Sequence, residues 1–318
     1  MSATRRAVID VGTNSVKLLV AEVRGREIQP VCEESKQTRL GQGFYETHQL
    51  LPEAIANTAH AVAAFVEQSR AAHASQIRVI ATSAARDAVN AAELITAIER
   101  TSGHRPEIIS GEQEADWAFQ GVTTDPALAN IPFLLLDVGG GSTEFILGHG
   151  EAKHFRHSFR LGTVRLLETI PHSNPPTREE FAETRRWVRD FIEDKIRPAL
   201  APALERETRR HAAHTPLALV GTGGTTTILA RMEAGLETYD RAIIETTRIS
   251  AERVRWHAEN LWSLPLAQRE AIVGLPRKRA DVILPGVVIF EAVLEQFDFS
   301  ELRVSTRGLR FAAVMDAP

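Results

Sequence analysis

The chain has 318 residues, 41 of them acidic and 37 basic, for a net charge of −4 with histidines neutral; this excludes the overall basic character of a nucleic-acid coat. With 43% apolar and 25% charged residues it can bury a core, and because single cores stop growing near ~250 residues, the length predicts two domains with a cleft between them. The lone cysteine, Cys32, excludes an intrachain disulfide and a cysteine-rich metal site, suits a reducing compartment, and reads as a small buried hydrophobe. Asp10 and Gly12 interrupt the apolar run that follows Arg6 before it becomes a signal peptide. No other apolar stretch approaches the ~18 residues of a spanning helix, so a soluble, cytoplasmic protein with no membrane partner is expected.

Ala7 to Val23 predicts two apolar strands around a polar turn, Asp10 to Ser15. Helical spacing follows over Glu53 to Ala72, then a short strand over Ile77 to Ala81 and helical spacing again from Ala84 to Thr101. Strands alternating with helices predict an α/β architecture. At Pro132 the pattern restarts: an apolar strand, the turn Asp137-Val-Gly-Gly-Gly-Ser142 and a second strand through Leu147. Asp10 falls on Asp137, Gly12 on Gly139 and Ser15 on Ser142, an internal repeat. From Pro175 to His214 an apolar stripe of Phe181, Val188, Ile192 and Ile196 predicts charged surface helices, broken by Pro198 and Pro202. Leu217 to Val220 predicts a strand leading into Gly221-Thr-Gly-Gly-Thr-Thr-Thr227, with a helix from near Ile228. More helix is predicted over Ser250 to Leu275, a buried helix over Arg279 to Phe297, and a last strand over Leu302 to Ser305.

The three turns at Asp10 to Ser15, Asp137 to Ser142 and Gly221 to Thr227 each follow an apolar strand. Glycine lets backbone N–H groups face an anion, and Ser, Thr and Asn add donors, so the set predicts a two-lobed phosphate clamp. None is a Walker A loop, because no Gly-Lys-Ser/Thr is present in them. Asp137 and Glu144, at opposite ends of the second turn, either meet at one Mg²⁺ or leave Glu144 solvated on the outgoing strand. Asp10 holds the equivalent place in the first turn and could share metal or water contacts. Arg86 is a cation near a predicted helix N-terminus, a conflict that a bound phosphate would resolve.

Histidine offers little: His154 with His157 and His211 with His214 have spacings that suit one helical face, but no Cys or carboxylate pattern completes a zinc site. Two basic runs, Arg206 to His211 and Arg277 to Arg279, could extend a polyanion track or be solvated faces, and the flanking Glu205 and Glu207 favour a solvated face for the first. Trp117 and Phe119 suit packing between the lobes better than base stacking.

The segments Ile9 to Leu18, Ala81 to Asn90, Ile109 to Ala115, Leu136 to Glu144, Leu161 to Arg165, Val220 to Thr225, Arg279 to Gly286 and Ser305 to Arg310, in this order, resemble the exopolyphosphatase/guanosine pentaphosphate phosphohydrolase family of the actin, Hsp70 and sugar-kinase fold superfamily. The resemblance implies two actin-like (ribonuclease H-like) α/β lobes, residues 1–122 with a C-terminal return at about 302–318, and residues 123–301. It implies removal of the terminal phosphate from polyphosphate, guanosine pentaphosphate or both, with Mg²⁺ and with K⁺ as a candidate activator. It makes Glu114 the catalytic base, with Gln113 standing where glutamate is usual. Mg²⁺ falls to Asp137 and Glu144. Phosphate contacts fall to Asp10, Gly12, Asn14, Ser15, Lys17, Arg86, Gly139, Gly140, Gly141, Ser142, Thr143, Arg165, Gly221, Thr222, Gly223, Gly224, Thr225 and Arg279. The resemblance also allows a homodimer. The competing readings are a non-hydrolysing guanosine alarmone sensor and an ATP-dependent member of the superfamily.

Overall fold

Alternation of apolar residues on two-sided strands decides both halves of the computed structural model, which describes residues 3–211 and 216–316. One unit comprises the chain through Asp125 together with the segment from Arg307; the other runs from Pro126 to Thr306.

In the first unit, β1 (Thr4–Val11), β2 (Ser15–Arg24) and β3 (Glu27–Gln37) form an antiparallel meander. The chain continues through α1 (Phe44–Thr47), α2 (Pro52–Ala71), β4 (Gln76–Ala81), α3 (Ser83–Asp87), α4 (Ala91–Ser102), β5 (Glu107–Ile108) and α5 (Gly111–Val122). The sheet order is β3-β2-β1-β4-β5, with β4 parallel to both β1 and β5. Ala7, Ile9 and Val11 pack on one face with Ile55, Val62 and Phe65 of α2. Val8, Leu19 and Ala21 pack on the other with Phe311 and Val314 of the C-terminal helix, Leu309–Met315. Both faces of β1 are thus covered, as a strand with side chains alternating between two layers requires.

The second unit repeats this plan. β6 (Pro132–Val138), β7 (Thr143–His149) and β8 (Ala152–Phe159) form the meander, followed by α6 (Thr163–Thr169), α7 (Arg178–Phe191), a π-helical turn (Ile192–Ile196) and α8 (Arg197–His211). Then come β9 (Ala218–Thr222), α9 (Gly223–Glu233), α10 (Arg241–Thr246), β10 (Arg248–Ser250), α11 (Ala251–Ser263), α12 (Leu266–Arg269), a 3₁₀ turn (Arg277–Arg279), α13 (Ile283–Gln296) and β11 (Glu301–Val304). The order β10-β11-β9-β6-β7-β8 matches the first sheet, with β9 and β11 in the places of β4 and β5 and β10 added at the edge.

Several expectations need correction. The predicted helix Ala84 to Thr101 is two helices, α3 and α4. Pro198 and Pro202 do not break the charged helical segment: the wide π turn stands just ahead of Pro198, where a regular turn would clash with the ring, and Pro202 lies inside α8. Burial of Val188, Ile192, Ile196 and Leu200 holds the run together. The helix expected near Ile228 starts at Gly223, and Thr226 and Thr227 hydroxyls bond back to the Thr222 and Gly223 carbonyls. The buried helix begins at Ile283 rather than Arg279. Leu302 does not open the return to the first unit, because Glu301–Val304 pairs with β9 and β10 in the second sheet. Cys32 is half-buried, and burial with neighbouring Glu34 and Glu33 pushes its thiol up, so it is not an activated nucleophile.

Candidate functional site

In each unit the candidate residues collect at the C-terminal edge of the parallel strands, where open α/β sheets place their ligands. In the first unit Val11 ends beside Ala81, so the first turn and the Thr82-Ser83 corner share one edge. Gly12 donates to the Ser15 carbonyl to close the turn. The Thr13 carbonyl accepts from the Gly41 N–H, and the Asn14 carbonyl from the Thr38 and Arg39 N–H groups. Gln37 Nε2 donates to Asn14 Oδ1 at 3.1 Å. Asp10 Oδ1, Asn14 Nδ2, Ser15 Oγ and Thr38 Oγ1 are all buried here without a hydrogen-bond partner in the protein, the condition in which buried polar atoms call for a ligand or water.

Asp10, 4% exposed, sits across from Lys17. Burial raises its carboxyl above the usual range despite the opposing Lys17 and Arg310 charges. A folded-state value above the unfolded one means that the cost of a buried charge is absent at low pH and fully present above the raised value. Asp10→Asn is therefore expected to raise the thermal midpoint at pH 7 and to leave it unchanged near pH 3; a midpoint gain independent of pH would contradict this assignment.

Glu114 lies in the first turn of α5, whose N-cap Ser110 accepts from the Gln113 N–H. It is 7% exposed. Arg86 Nη1 donates to Glu114 Oε2 at 3.0 Å and to the Ile109 carbonyl at 3.1 Å. The charge conflict expected at Arg86 is thus met by Glu114 rather than by a phosphate alone, and Arg86 lies in the last turn of the five-residue α3. Trp117 belongs to the first unit's own core, with Arg78 over its ring at 4.7 Å.

In the second unit Asp137 and Glu144 are direct cross-strand partners, so both project from one face of the β6–β7 ribbon. Glu144 is 1% exposed and accepts from the Ser158 hydroxyl at 2.7 Å, which excludes the solvated alternative. The equivalent pair in the first unit is Asp10 and Lys17, so of these two equivalent pairs the second unit's is the one with two facing carboxylates. The set suits Mg²⁺, which takes one or two carboxylates and fills the remaining octahedral positions with water and phosphate oxygens. Among the described residues no group of three or more His, Cys, Asp or Glu is placed to hold a metal.

The second turn is anchored on α6. The Gly139 carbonyl accepts from the Thr163 N–H at 3.0 Å, the Gly140 carbonyl from the Val164 and Arg165 N–H groups at 2.8 and 3.0 Å, and the Gly141 carbonyl from Arg165 Nε at 2.8 Å. In a trans peptide the N–H of the next residue points opposite to the carbonyl. The N–H groups of Gly140, Gly141 and Ser142 therefore face away from α6, a row of three donors suited to an anion. Thr143 does not join them: its buried hydroxyl donates to the Leu161 carbonyl.

The third turn leaves β9 beside the second, with Thr222 in register with Asp137. Gly221 is a strand and packing residue, since a Cβ there would meet Phe290 at 2.9 Å and Thr226 at 2.7 Å, and its carbonyl accepts from the Ser305 N–H. Gly223 abuts the Asp137 carboxylate, Thr225 packs on Gly286, and the Arg279 guanidinium lies over Gly224. Burial lowers Arg279's value, with Asp281 opposing it.

Gln37, Thr38 and Ser158 escaped sequence reasoning because β3 and β8 are polar edge strands. The available signal was a glycine just past each apolar strand, Gly25 and Gly150, both with φ near +60°. His154 and His157 lie on strand β8 rather than a helix. His154 and His211 both approach the buried Glu207, at 3.6 and 3.5 Å, a carboxylate that the sequence pattern had not supplied; His214 lies outside the described residues. Arg209 and Arg210 are paired with Glu205 and Glu207, as a solvated face would be. Among the described residues no helix is long and apolar enough to cross a membrane.

Comparison with known proteins shows the family and the fold. Residues 19–316 match the description of the Ppx/GppA phosphatase family. Exopolyphosphatase 2 of Mycobacterium tuberculosis is 37% identical over 308 residues, which cover 93% of this chain and 92% of that protein. The structure of the Aquifex aeolicus PPX-GPPA enzyme superposes with a TM-score of 0.77 at 27% identity, covering 99% of this chain and all 100% of that one. An exopolyphosphatase from Cytophaga hutchinsonii reaches 0.83 at 24% identity over 98% of each chain, a likeness of fold.

Proposed function

Since this chain belongs to the Ppx/GppA phosphatase family, with the α/β fold of two actin-like units, we propose that it is an exopolyphosphatase that hydrolyses the terminal phosphoanhydride of inorganic polyphosphate, with guanosine pentaphosphate as a second substrate. The observation that carries the reading is the second turn: three consecutive peptide N–H groups on one side of a glycine loop, beside a facing pair of carboxylates. Donors fixed in advance stabilise the charge that gathers on a transferring phosphoryl group.

In this reading Glu114 orients a water and takes its proton, the water oxygen bonds to the terminal phosphorus, and the bridging P–O bond breaks with its electron pair retained by the shortened chain. Arg86 holds the Glu114 carboxylate in place through its 3.0 Å bond and supplies the positive charge that the departing phosphate calls for. Asp137 and Glu144 hold Mg²⁺, which when bound neutralises phosphate oxygens and polarises the phosphorus. Gly140, Gly141 and Ser142 receive the phosphoryl oxygens through their N–H groups, and Asn14 and Ser15 add side-chain donors. Gly223, Gly224 and Arg279 complete the polyanion contacts.

The test is phosphate release from polyphosphates of defined length, guanosine pentaphosphate and ATP, with Mg²⁺ and with EDTA. Release from polyphosphate that EDTA reduces to background is expected. Turnover of ATP alone would replace this reading with an ATP-dependent one, and tight guanosine pentaphosphate binding without release from any substrate would replace it with a sensor.

A further inference from the structure

The two turns are held by different means at one position. In the first unit the Asn14 carbonyl accepts from two backbone donors, the Thr38 and Arg39 N–H groups at 3.2 and 3.1 Å. The repeat places Gly141 at the position of Asn14 in the second unit. There the backbone donors of α6 reach only the Gly139 and Gly140 carbonyls, and the Gly141 carbonyl is held by a side chain, Arg165 Nε at 2.8 Å. The held residue is also a glycine, whose wide conformational freedom lets the 141–142 peptide rotate at little cost. Rotation would turn the Ser142 N–H out of the row of donors and bring a carbonyl oxygen into it, replacing attraction for phosphate with repulsion.

We propose that Arg165 is a positioning residue that fixes the 141–142 peptide through its Nε–H, and so holds the Ser142 N–H toward the phosphoryl group, rather than a residue that binds phosphate through its charge. This inference rests on the exopolyphosphatase reading for its substrate, and on the loop geometry alone for the role of Arg165.

Two substitutions separate the roles. Gln carries its amide nitrogen on Cδ, the atom that carries Nε in Arg, so Arg165→Gln keeps a donor at the right place and loses the charge. Lys keeps the charge and puts a methylene there. Both leave the backbone N–H groups of residues 163–165 in place, so R165K releases the 141–142 peptide alone and R165Q keeps it held. The measurements are kcat and KM on a short polyphosphate, tripolyphosphate binding by calorimetry, and thermal midpoints. R165K is expected to lose about 10- to 100-fold in kcat, somewhat less than the usual cost of deleting an oxyanion donor outright. It should bind tripolyphosphate more weakly, with an unchanged midpoint, whereas R165Q stays within about 3-fold of the wild type in kcat and binding, a gap far below the tenfold that ~1.4 kcal/mol represents. The reverse order, R165K near wild type and R165Q with a raised KM and weakened binding, overturns the proposal in favour of direct charge recognition. Equal losses in both variants overturn it as well. If the wild type hydrolyses no phosphoanhydride, the functional reading fails, and the order of the two variants in tripolyphosphate binding still decides the role of Arg165.

Discussion

Phosphate release by Glu114→Gln is expected to fall by about 100-fold or more, the scale on which a general base contributes, with substrate affinity and thermal midpoint largely kept. Glutamine matches the volume of glutamate at a site only 7% exposed, and its amide oxygen can still accept from Arg86 Nη1, which donates to Glu114 Oε2 at 3.0 Å in the wild type. What it cannot do is take a proton from water. A loss confined to kcat therefore identifies a proton acceptor, whereas a loss that appears as a lower midpoint identifies a structural ion pair. The two roles are worth separating because a paired carboxylate in the first turn of a helix is stabilised by the dipole wherever it occurs. Arg86→Ala supplies the contrast: it leaves the base intact but unheld, so a smaller kcat loss than that of Glu114→Gln is expected, together with a raised KM if Arg86 also meets the departing phosphate. Retention of wild-type rates by Glu114→Gln would remove Glu114 from the mechanism.

The sequence was most legible where one strand carries the whole signal. Apolar runs with Asp and Gly at their ends identify β1 with β2, and β6 with β7, and the fixed offset between Asp10 and Asp137 exposed a duplication that the matching sheet orders then extend to five strands in each unit. Legibility fell where a residue's state depends on a partner distant in sequence. Arg86 looked misplaced because Glu114 lies 28 residues away. Glu144 could not be separated from a solvated residue until Ser158 and the burial of β7 were known. Strands β3 and β8 lie outside the parallel core with exposed, polar faces, so no apolar period marks them. The helix after β9 was placed too late because its first turn is built from Gly and Thr, poor helix formers in isolation; it forms there because Thr226 and Thr227 bond back to the preceding turn and Ile228 and Leu229 are buried. Gly221 reads as a ligand contact by the composition of its turn and Thr143 by the family resemblance, whereas tertiary packing engages both.

Gly223→Ala is the other substitution with a large expected effect, and its neighbour provides the control. Gly223 has φ +90°, and a Cβ there would stand 2.6 Å from Asp137 Oδ1. Two costs then arise together. A left-handed backbone is worth about 1–2 kcal/mol against a residue with a Cβ, and at about 2–4 °C per kcal/mol for a domain of this size the thermal midpoint should fall by roughly 2–8 °C. The methyl group must also displace the Asp137 carboxylate, which shares its ribbon face with Glu144, so the Mg²⁺ concentration for half-maximal activity should rise by about tenfold, the equivalent of ~1.4 kcal/mol at the carboxylate pair. Gly224 is the next residue, yet a Cβ there would meet only the Arg279 guanidinium, at 3.8 Å, with no left-handed φ. Gly224→Ala should therefore leave the midpoint within about 1 °C, as a substitution that touches no strained or buried contact does. Equal destabilisation by both would show that the third turn tolerates no added methyl anywhere, and would remove the reason for tying Gly223 to Asp137. A fall in midpoint at Gly223 with an unchanged Mg²⁺ requirement would keep the backbone argument and separate Asp137 from the metal.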